Sequence, residues 1–203
     1  MHLFIISIDL PLTQPFLGLI EILFTFYLTF IISILLLALI NKICRILLRD
    51  KVGELTGSST TIWAVKQASW DIVQTFTRKF LIHSPLPDVL LSLFGLKKRK
   101  GTSIIGEIMD PELVQIGNGT MIGTFSIISG HHIRRGRLYR AKVKIGNNCT
   151  IGGYTIILPG VEIGDNVVVG AVSLVPANWK LESNSIYSGV PVKKVKTLNE
   201  DEI

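Results

Sequence analysis

Two adjacent histidines, His131 and His132, follow Ser129-Gly130 and precede the basic run Arg134-Arg135-Gly136-Arg137-Leu138-Tyr139-Arg140. A neutral imidazole with a reference pKa of about 6.5 can take a proton from a hydroxyl or amine at neutral pH. The chemistry on offer is general-base catalysis, with His131 as the base. His132, Arg134, Arg135 and Tyr139 belong to the loop that would receive the substrate. The arginines fit an anionic acceptor, a bound cofactor, anionic lipid or plain solvent. The two cysteines, Cys44 and Cys149, lie in unrelated segments and form neither a CxxC pair nor a disulfide framework. Reduced thiols suit a cytoplasmic setting. No metal is expected, and no aromatic-basic platform supports nucleic-acid binding.

The segments around these histidines repeat every six residues. Ile116, Ile122 and Ile128 are spaced by six, as are Ile145, Ile151, Ile157, Ile163, Val169 and Val175. Small or β-branched residues sit four places later: Thr120, Ser126, Cys149, Thr155, Val161, Val167 and Ser173. A repeat of this length fits a short strand plus a turn, so three make one triangular coil and neighbouring coils share a core. The aliphatic residue is expected inside and the small one at the crowded corner, which makes Cys149 structural. If the coil continued past Ile128, His132 would fall in a small inward corner and His131 would point into solvent. An imidazole does not fit such a corner, so the chain is expected to leave the prism at the histidines and return at Val143-Lys144-Ile145. A base at the root of an excursion from a rigid scaffold is well placed for catalysis.

These residues resemble the hexapeptide-repeat, left-handed β-helix acyltransferases, from Asp110 to Leu198. Ser129-Gly130-His131 looks like that family's Thr/Ser-Gly-His turn. Ile145-Gly146-Asn147-Asn148, Pro159 to Asn166 and Val169-Gly170-Ala171 follow its coils. Gly189-Val190-Pro191-Val192-Lys193-Lys194-Val195 matches its Gly-x-Pro-x-basic ending. Cys149-Thr150 stands where many sugar acetyltransferases have Trp, and Pro176 where they often have a polar residue. With the hydrophobic helices before it, the stretch from Asp110 also resembles the membrane-bound C-terminal region of poly-lysine-synthetase-like peptide synthetases. The resemblance implies a homotrimer with its site between subunits, and acetyl-CoA or another acyl-CoA as co-substrate. It implies His131 as general base, Gly153 and Ala171 against the pantetheine arm, and Lys193 and Lys194 near the nucleotide phosphates.

The elements before the repeat point to a membrane. The chain has 203 residues, 48% of them hydrophobic, with net charge +6. Phe16 to Ile40 is apolar apart from Glu21, long enough to cross a bilayer core of about 30 Å. It lacks the basic start and cleavage site of a signal peptide. Glu21 reads as interfacial or as a functional carboxylate within the membrane. Lys42, Arg45, Arg49 and Lys51 follow the run, which puts the C-terminal side in the cytoplasm. Residues 1–10 are apolar enough to lie in the interface. Residues 52–60 read as a linker. Residues 61–82 read as an amphipathic helix with Ile62, Val65, Ser69, Ile72, Val73, Phe76 and Phe80 on one side, and Lys66, Asp71, Arg78 and Lys79 largely off it. That helix either lies on the membrane or packs on the repeat domain. His83 is expected at the surface in the turn made by Pro85 and Pro87. A second short helix, 88–96, precedes Lys97-Lys98-Arg99-Lys100, a run suited to anionic lipid or to solvent.

The expected organisation is therefore a membrane segment over 1–50, with a transmembrane helix at about 16–40. A linker with amphipathic helices covers 51–102. A left-handed parallel β-helix of roughly four coils covers 103–178, with a loop excursion over 131–144. A C-terminal strand and basic tail cover 179–203. The expected function is a membrane-anchored acyltransferase on the cytoplasmic side, acting on a hydroxyl or amine, with a lipid-linked sugar or envelope precursor as the kind of acceptor that membrane tethering suggests. Two alternatives share the scaffold. One is a non-catalytic trimeric membrane scaffold. The other is a γ-carbonic-anhydrase-like metalloenzyme, disfavoured because no histidine follows His132.

Overall fold

The computed structural model describes residues 14–48, 52–80 and 86–199. The expectations for residues 1–10, Arg49, Lys51, His83 and Pro85 lie outside these. The chain divides into two units, residues 1–37 and 38–203. The described part of the first unit is helical and belongs to α1 (Gln14–Leu48), with most of its side chains exposed. Leu17–Leu48 is apolar and long enough to cross a membrane.

The second unit is built on a left-handed β-helix of about five turns. Its first face stacks Lys97–Lys98, Val114–Ile116, Val143–Ile145, Glu162–Ile163 and Lys180–Leu181 in parallel. Its second face stacks Ser103–Ile104, Met121–Ile122, Thr150–Ile151, Val167–Val169 and Ser185–Ser188, closed by the antiparallel strand Lys193–Thr197. Its third face stacks Glu107–Ile108, Ile127–Ile128, Ile156–Ile157 and Leu174–Val175. One coil more than the repeat suggested is present, because Lys97–Lys98 begins the first face; Lys98 also pairs with Asp88 at 2.6 Å.

The six-residue periodicity is the packing of the prism. Ile116, Ile145 and Ile163 stack in register, as do Ile122, Ile151 and Val169, and Ile128, Ile157 and Val175, all buried. Thr120, Ser126, Cys149, Thr155, Val161, Val167 and Ser173 are buried as expected for inward corners. Asn148, Asn166 and Asn184 stack on one corner with positive φ, and their side-chain amides form a ladder. Asn tolerates this left-handed conformation better than most residues, so the turns are encoded locally.

Two helices and a small sheet complete the second unit. α2 (Ser58–Phe80) packs on the β-helix: Trp70 Nε1 donates to the Ile108 carbonyl at 2.7 Å and Gln67 Nε2 to the Met109 carbonyl at 3.0 Å. The face it buries is mixed, and only part of the expected apolar side. Val73 and Trp70 are buried beside Lys66, Gln67, Ser69, Gln74 and Thr77, whereas Val65 and Ile72 are exposed. α3 (Leu86–Leu93) follows, with Leu90 and Leu91 buried. The expected linker over 52–60 holds a short strand and the start of α2: Gly53–Leu55 pairs antiparallel with Leu138, Tyr139 and Arg140. Leu48 at the end of α1, Leu55 and Leu138 form a buried cluster flanked by Ile62 and Trp63.

Candidate active site

At the edge between the third and first faces the chain leaves the prism twice. In the earlier coil it makes the 3-10 turn Pro111–Leu113, preceded by Asp110. In the next coil it makes the hairpin His131–Arg134 with Arg137–Arg140. Arg135 and Gly136 both have positive φ, as a two-residue I′-type hairpin turn requires. Gly130 sits where the two coils touch. A Cβ there would lie 2.8 Å from Leu113 Cβ and 3.0 Å from Asp110 Cβ, so only glycine fits.

Asp110 and His131 meet at this edge. The Asp110 side chain does not cap its own turn. Its Oδ2 instead accepts from the Gly130 amide at 3.0 Å and lies 2.6 Å from His131 Nδ1. Ser129 Oγ donates to the His131 carbonyl at 2.7 Å and accepts from the His131 amide at 3.3 Å, which closes the turn. The Trp63 ring meets the imidazole edge-on, with centroids 4.8 Å apart. The His131 side chain is only 16% exposed, so the outward orientation expected from the repeat is corrected. The cause is the hairpin, which takes the residue out of the coil's register and turns its ring onto Asp110.

Behind this pair lies a buried charge cluster. Lys66 Nζ is 3.2 Å from Asp110 Oδ1 and 2.6 Å from Glu112 Oε1. Arg140 Nη2 is 2.5 Å from the same Glu112 oxygen. Burial pushes the Asp110 carboxyl up, but the hydrogen bond from His131 and the charges of Lys66 and Arg140 outweigh it. They hold Asp110 well below the usual carboxylate range. An ionised Asp110 accepts, so Nδ1 carries the proton and donates. In the neutral imidazole that tautomer leaves Nε2 with the lone pair that a base needs.

The alternation of a β-strand separates the two histidines. His131 shares its face of the hairpin with Leu138 and Arg140; His132 pairs with Tyr139 and Arg134 with Arg137 on the other face. His132 stacks on Tyr139 at 5.5 Å, and its Nδ1 is buried without a hydrogen-bond partner. This second face opens on a cleft of about 670 Å³ lined by His132, Arg134, Arg135, Arg137, Tyr139 and Asn178. His131 is not part of its lining. Arg137 and Tyr139 both bind Glu54.

Gly153 and Ala171 stand on a different edge, between the second and third faces. The Val172 amide donates to the Gly153 carbonyl at 2.9 Å, and Ala171 is exposed. Gly189 continues this edge, its carbonyl accepting from Leu174, and the exposed Lys193 pairs with Ser188 just before it. Lys194 binds Glu182 at 2.7 Å. A single chain therefore lines up Gly153, Ala171, Gly189 and Lys193 but leaves His131 across the third face from them. Among the described residues, no three His, Cys, Asp or Glu side chains converge on a metal position.

The sequence did not identify Asp110, Lys66 or Glu112 as members of the site, and it counted Arg140 among the loop arginines open to an anionic partner, whereas Arg140 is buried against Glu112. Only Asp110-Pro111-Glu112 carried a signal, as a turn interrupting the repeat one coil before the histidines.

Residues 142–176 match the model of the bacterial transferase hexapeptide family, six repeats. The galactoside O-acetyltransferase of Escherichia coli K12 is 36% identical over 101 residues, 46% of this chain and 48% of that protein. That of Lactococcus lactis is 32% identical over 102 residues, 47% and 48% of the two chains. The chain spans about half the length of these curated relatives. A hexapeptide-repeat acetyltransferase of Vibrio cholerae has the same fold, with TM-score 0.56 and 15% identity over 73% of this chain and 97% of that one. A structure of that acetyltransferase with acetyl coenzyme A aligns at TM-score 0.53 and 18% identity, over 72% of this chain and 93% of that one.

Proposed function

We propose that this chain, whose repeat is that of the hexapeptide transferases, moves an acyl group from acyl-CoA to a hydroxyl or amine, with His131 as general base. The observation that carries the reading is the His131–Asp110 pair at 2.6 Å, set at the break in the repeat. The two galactoside O-acetyltransferases matched across the repeat support acetyl-CoA as donor.

Asp110 fixes the tautomer, so Nε2 takes the acceptor proton as the acceptor oxygen or nitrogen attacks the thioester carbonyl. The tetrahedral intermediate then collapses, the carbon–sulfur bond breaks, and the imidazolium returns the proton to the departing CoA sulfur. Proton transfer of this kind contributes about 10²–10⁴ in rate. The corner of Gly153 and Ala171 suits a pantetheine arm, since neither residue carries a side chain beyond Cβ. Lys193 and Lys194 supply charge for the nucleotide phosphates.

The trimer reading is supported by the separation of base and donor residues on two edges of the prism. Three copies side by side would set one chain's His131 edge against a neighbour's Gly153–Ala171 edge. The exposed Phe125, Tyr154 and Val172 on that second edge are apolar in the way an interface needs. Membrane anchoring is supported by α1, with Lys42 and Arg45 at its end favouring a cytoplasmic catalytic domain. The exposed Val65 and Ile72 of α2 leave it an apolar side for lipid. Arg134 and Arg135 favour an acceptor with an anionic group, such as a lipid-linked sugar or envelope precursor.

The test is CoA release from acetyl-CoA by the detergent-solubilised full chain with candidate acceptors. Release lost in His131→Ala, with acetyl-CoA binding retained, is the expected result. A wild-type protein with no affinity for acetyl-CoA would overturn the reading.

A further inference from the structure

We propose that Lys66, on a helix outside the β-helix, acts through Asp110 to disfavour protonation of the His131 imidazole. Lys66 is a positioning residue acting through Asp110, because its ammonium touches Asp110 and Glu112 and not the imidazole. The proposal rests on His131 being the base.

The argument is a charge count within one buried cluster. The side chains of Lys66, Asp110, Glu112 and Arg140 are each at most 2% exposed. Two carboxylates face two cations, so the four balance without any charge on His131. Buried charge that is not matched is costly. If Lys66 were absent, the cluster would carry one excess negative charge, and the nearest group able to cancel it is His131, already bonded to Asp110. The imidazolium would then be more favoured than in the intact cluster.

Other titratable groups face the cluster. Asp71 on α2 binds Gln67 at 2.9 Å, and Glu107 on the preceding strand binds Gln74 at 2.6 Å. Burial pushes the Asp71 carboxyl up, against the hydrogen bond from Gln67; the charges of Asp110 and Glu107 add to the rise and that of His131 opposes it, so Asp71 also acts on the imidazole. Cys44 on α1 faces the Lys66 charge. Lys66 is the cation in direct contact with Asp110, and Arg140 adds its charge from beyond Glu112. The position of Lys66 is itself held: Asn41 Nδ2 donates to the Lys66 carbonyl at 3.2 Å, and Ser69 Oγ donates to it at 2.7 Å.

The chain has four histidines, so the imidazole carbon-bound protons of the full-length protein in detergent micelles can be followed by NMR against pH. The His131 signal is assigned by its loss in His131→Gln. Lys66→Met is expected to raise the His131 midpoint by about one pH unit, and Glu112→Gln to lower it. Lys66→Arg, which keeps the charge, is expected to leave it near wild type, and Lys66→Met with Glu112→Gln to bring it back towards wild type. A role confined to stability would weaken the fold without this pair of opposite shifts. No rise in Lys66→Met, or an equal rise in Lys66→Arg, overturns the proposal. If Lys66→Met does not fold, Glu112→Gln decides, and an unmoved midpoint overturns it. The readout uses no acyl transfer, so opposite shifts in a protein that never releases CoA would sink the acyltransferase reading and leave Lys66 in its role.

Discussion

Asp110 and His131 are 21 positions apart in sequence and one coil apart in space, with Oδ2 2.6 Å from Nδ1. The β-helix makes them neighbours by stacking one edge of the prism on itself. The carboxylate faces inward, among buried charges, and the imidazole stands between it and solvent.

Asp110→Asn should keep the shape of the turn but lose the acceptor that selects the Nδ1–H tautomer. We expect CoA release to fall by about 10²-fold or more, with acetyl-CoA affinity little changed. Steady-state kinetics beside a direct binding measurement checks this. Unchanged turnover would remove Asp110 from the mechanism.

The depressed Asp110 carboxyl also makes stability depend on pH. Its folded pKa lies below its ordinary value of about 3.9, so its contribution is present above that value. It is lost as pH falls from there towards the folded value. Denaturation midpoints measured from pH 6 down to pH 2.5 should drop steeply in the acid range for wild type, and less steeply for Asp110→Asn.

Cys149 should be chemically silent in the folded protein. It is 1% exposed, and burial pushes its thiol up, against hydrogen bonds from the backbone and Thr120. Iodoacetamide should label it only after unfolding. Cys149→Ala should retain CoA release. Rapid native labelling with loss of activity would contradict the structural role.

The asparagine ladder should matter for stability alone. Asn166 has φ of 55° and bridges Asn148 and Asn184. Asn166→Ala should cost about 1–2 kcal/mol, since alanine disfavours that backbone. Asn166→Gly keeps the conformation accessible and should cost less. Thermal unfolding of the two variants gives the comparison.

Arg134 and Arg135 have no ionic partner among the described residues and line the cleft beside His132. Replacing both by Ala should raise KM for an anionic acceptor about tenfold and leave that for acetyl-CoA unchanged. A loss confined to acetyl-CoA would assign the cleft to the donor instead.

The prism was legible because its core is periodic: one aliphatic residue per strand and one small residue per corner leave little freedom of register. The excursion at His131 was legible because it interrupts that pattern. Asp110 was not, since its partnership depends on which coil stacks on which edge. Lys66 was misplaced for a deeper reason. Hydrophobic periodicity assigns the apolar side of a helix to the interior, and α2 follows it only in part, burying Val73 but also Lys66, Gln67 and Gln74 while exposing Val65 and Ile72. The matches that hold this polar interface lie 33 to 46 residues away. Gly53–Leu55 escaped notice because three residues of strand, paired only through a distant hairpin, have no periodicity to display.

Asn41, where the uncharged run of α1 ends, is also the residue that grips the Lys66 carbonyl. The usual shortcut to a crystallisable soluble fragment, deleting everything up to the first charged loop, would excise Asn41, Cys44 and Leu48 together. Such a fragment would keep every strand of the prism and lose the scaffolding that seats its lysine. The informative excision ends near Leu37, where the buried stripe of the helix has not yet begun.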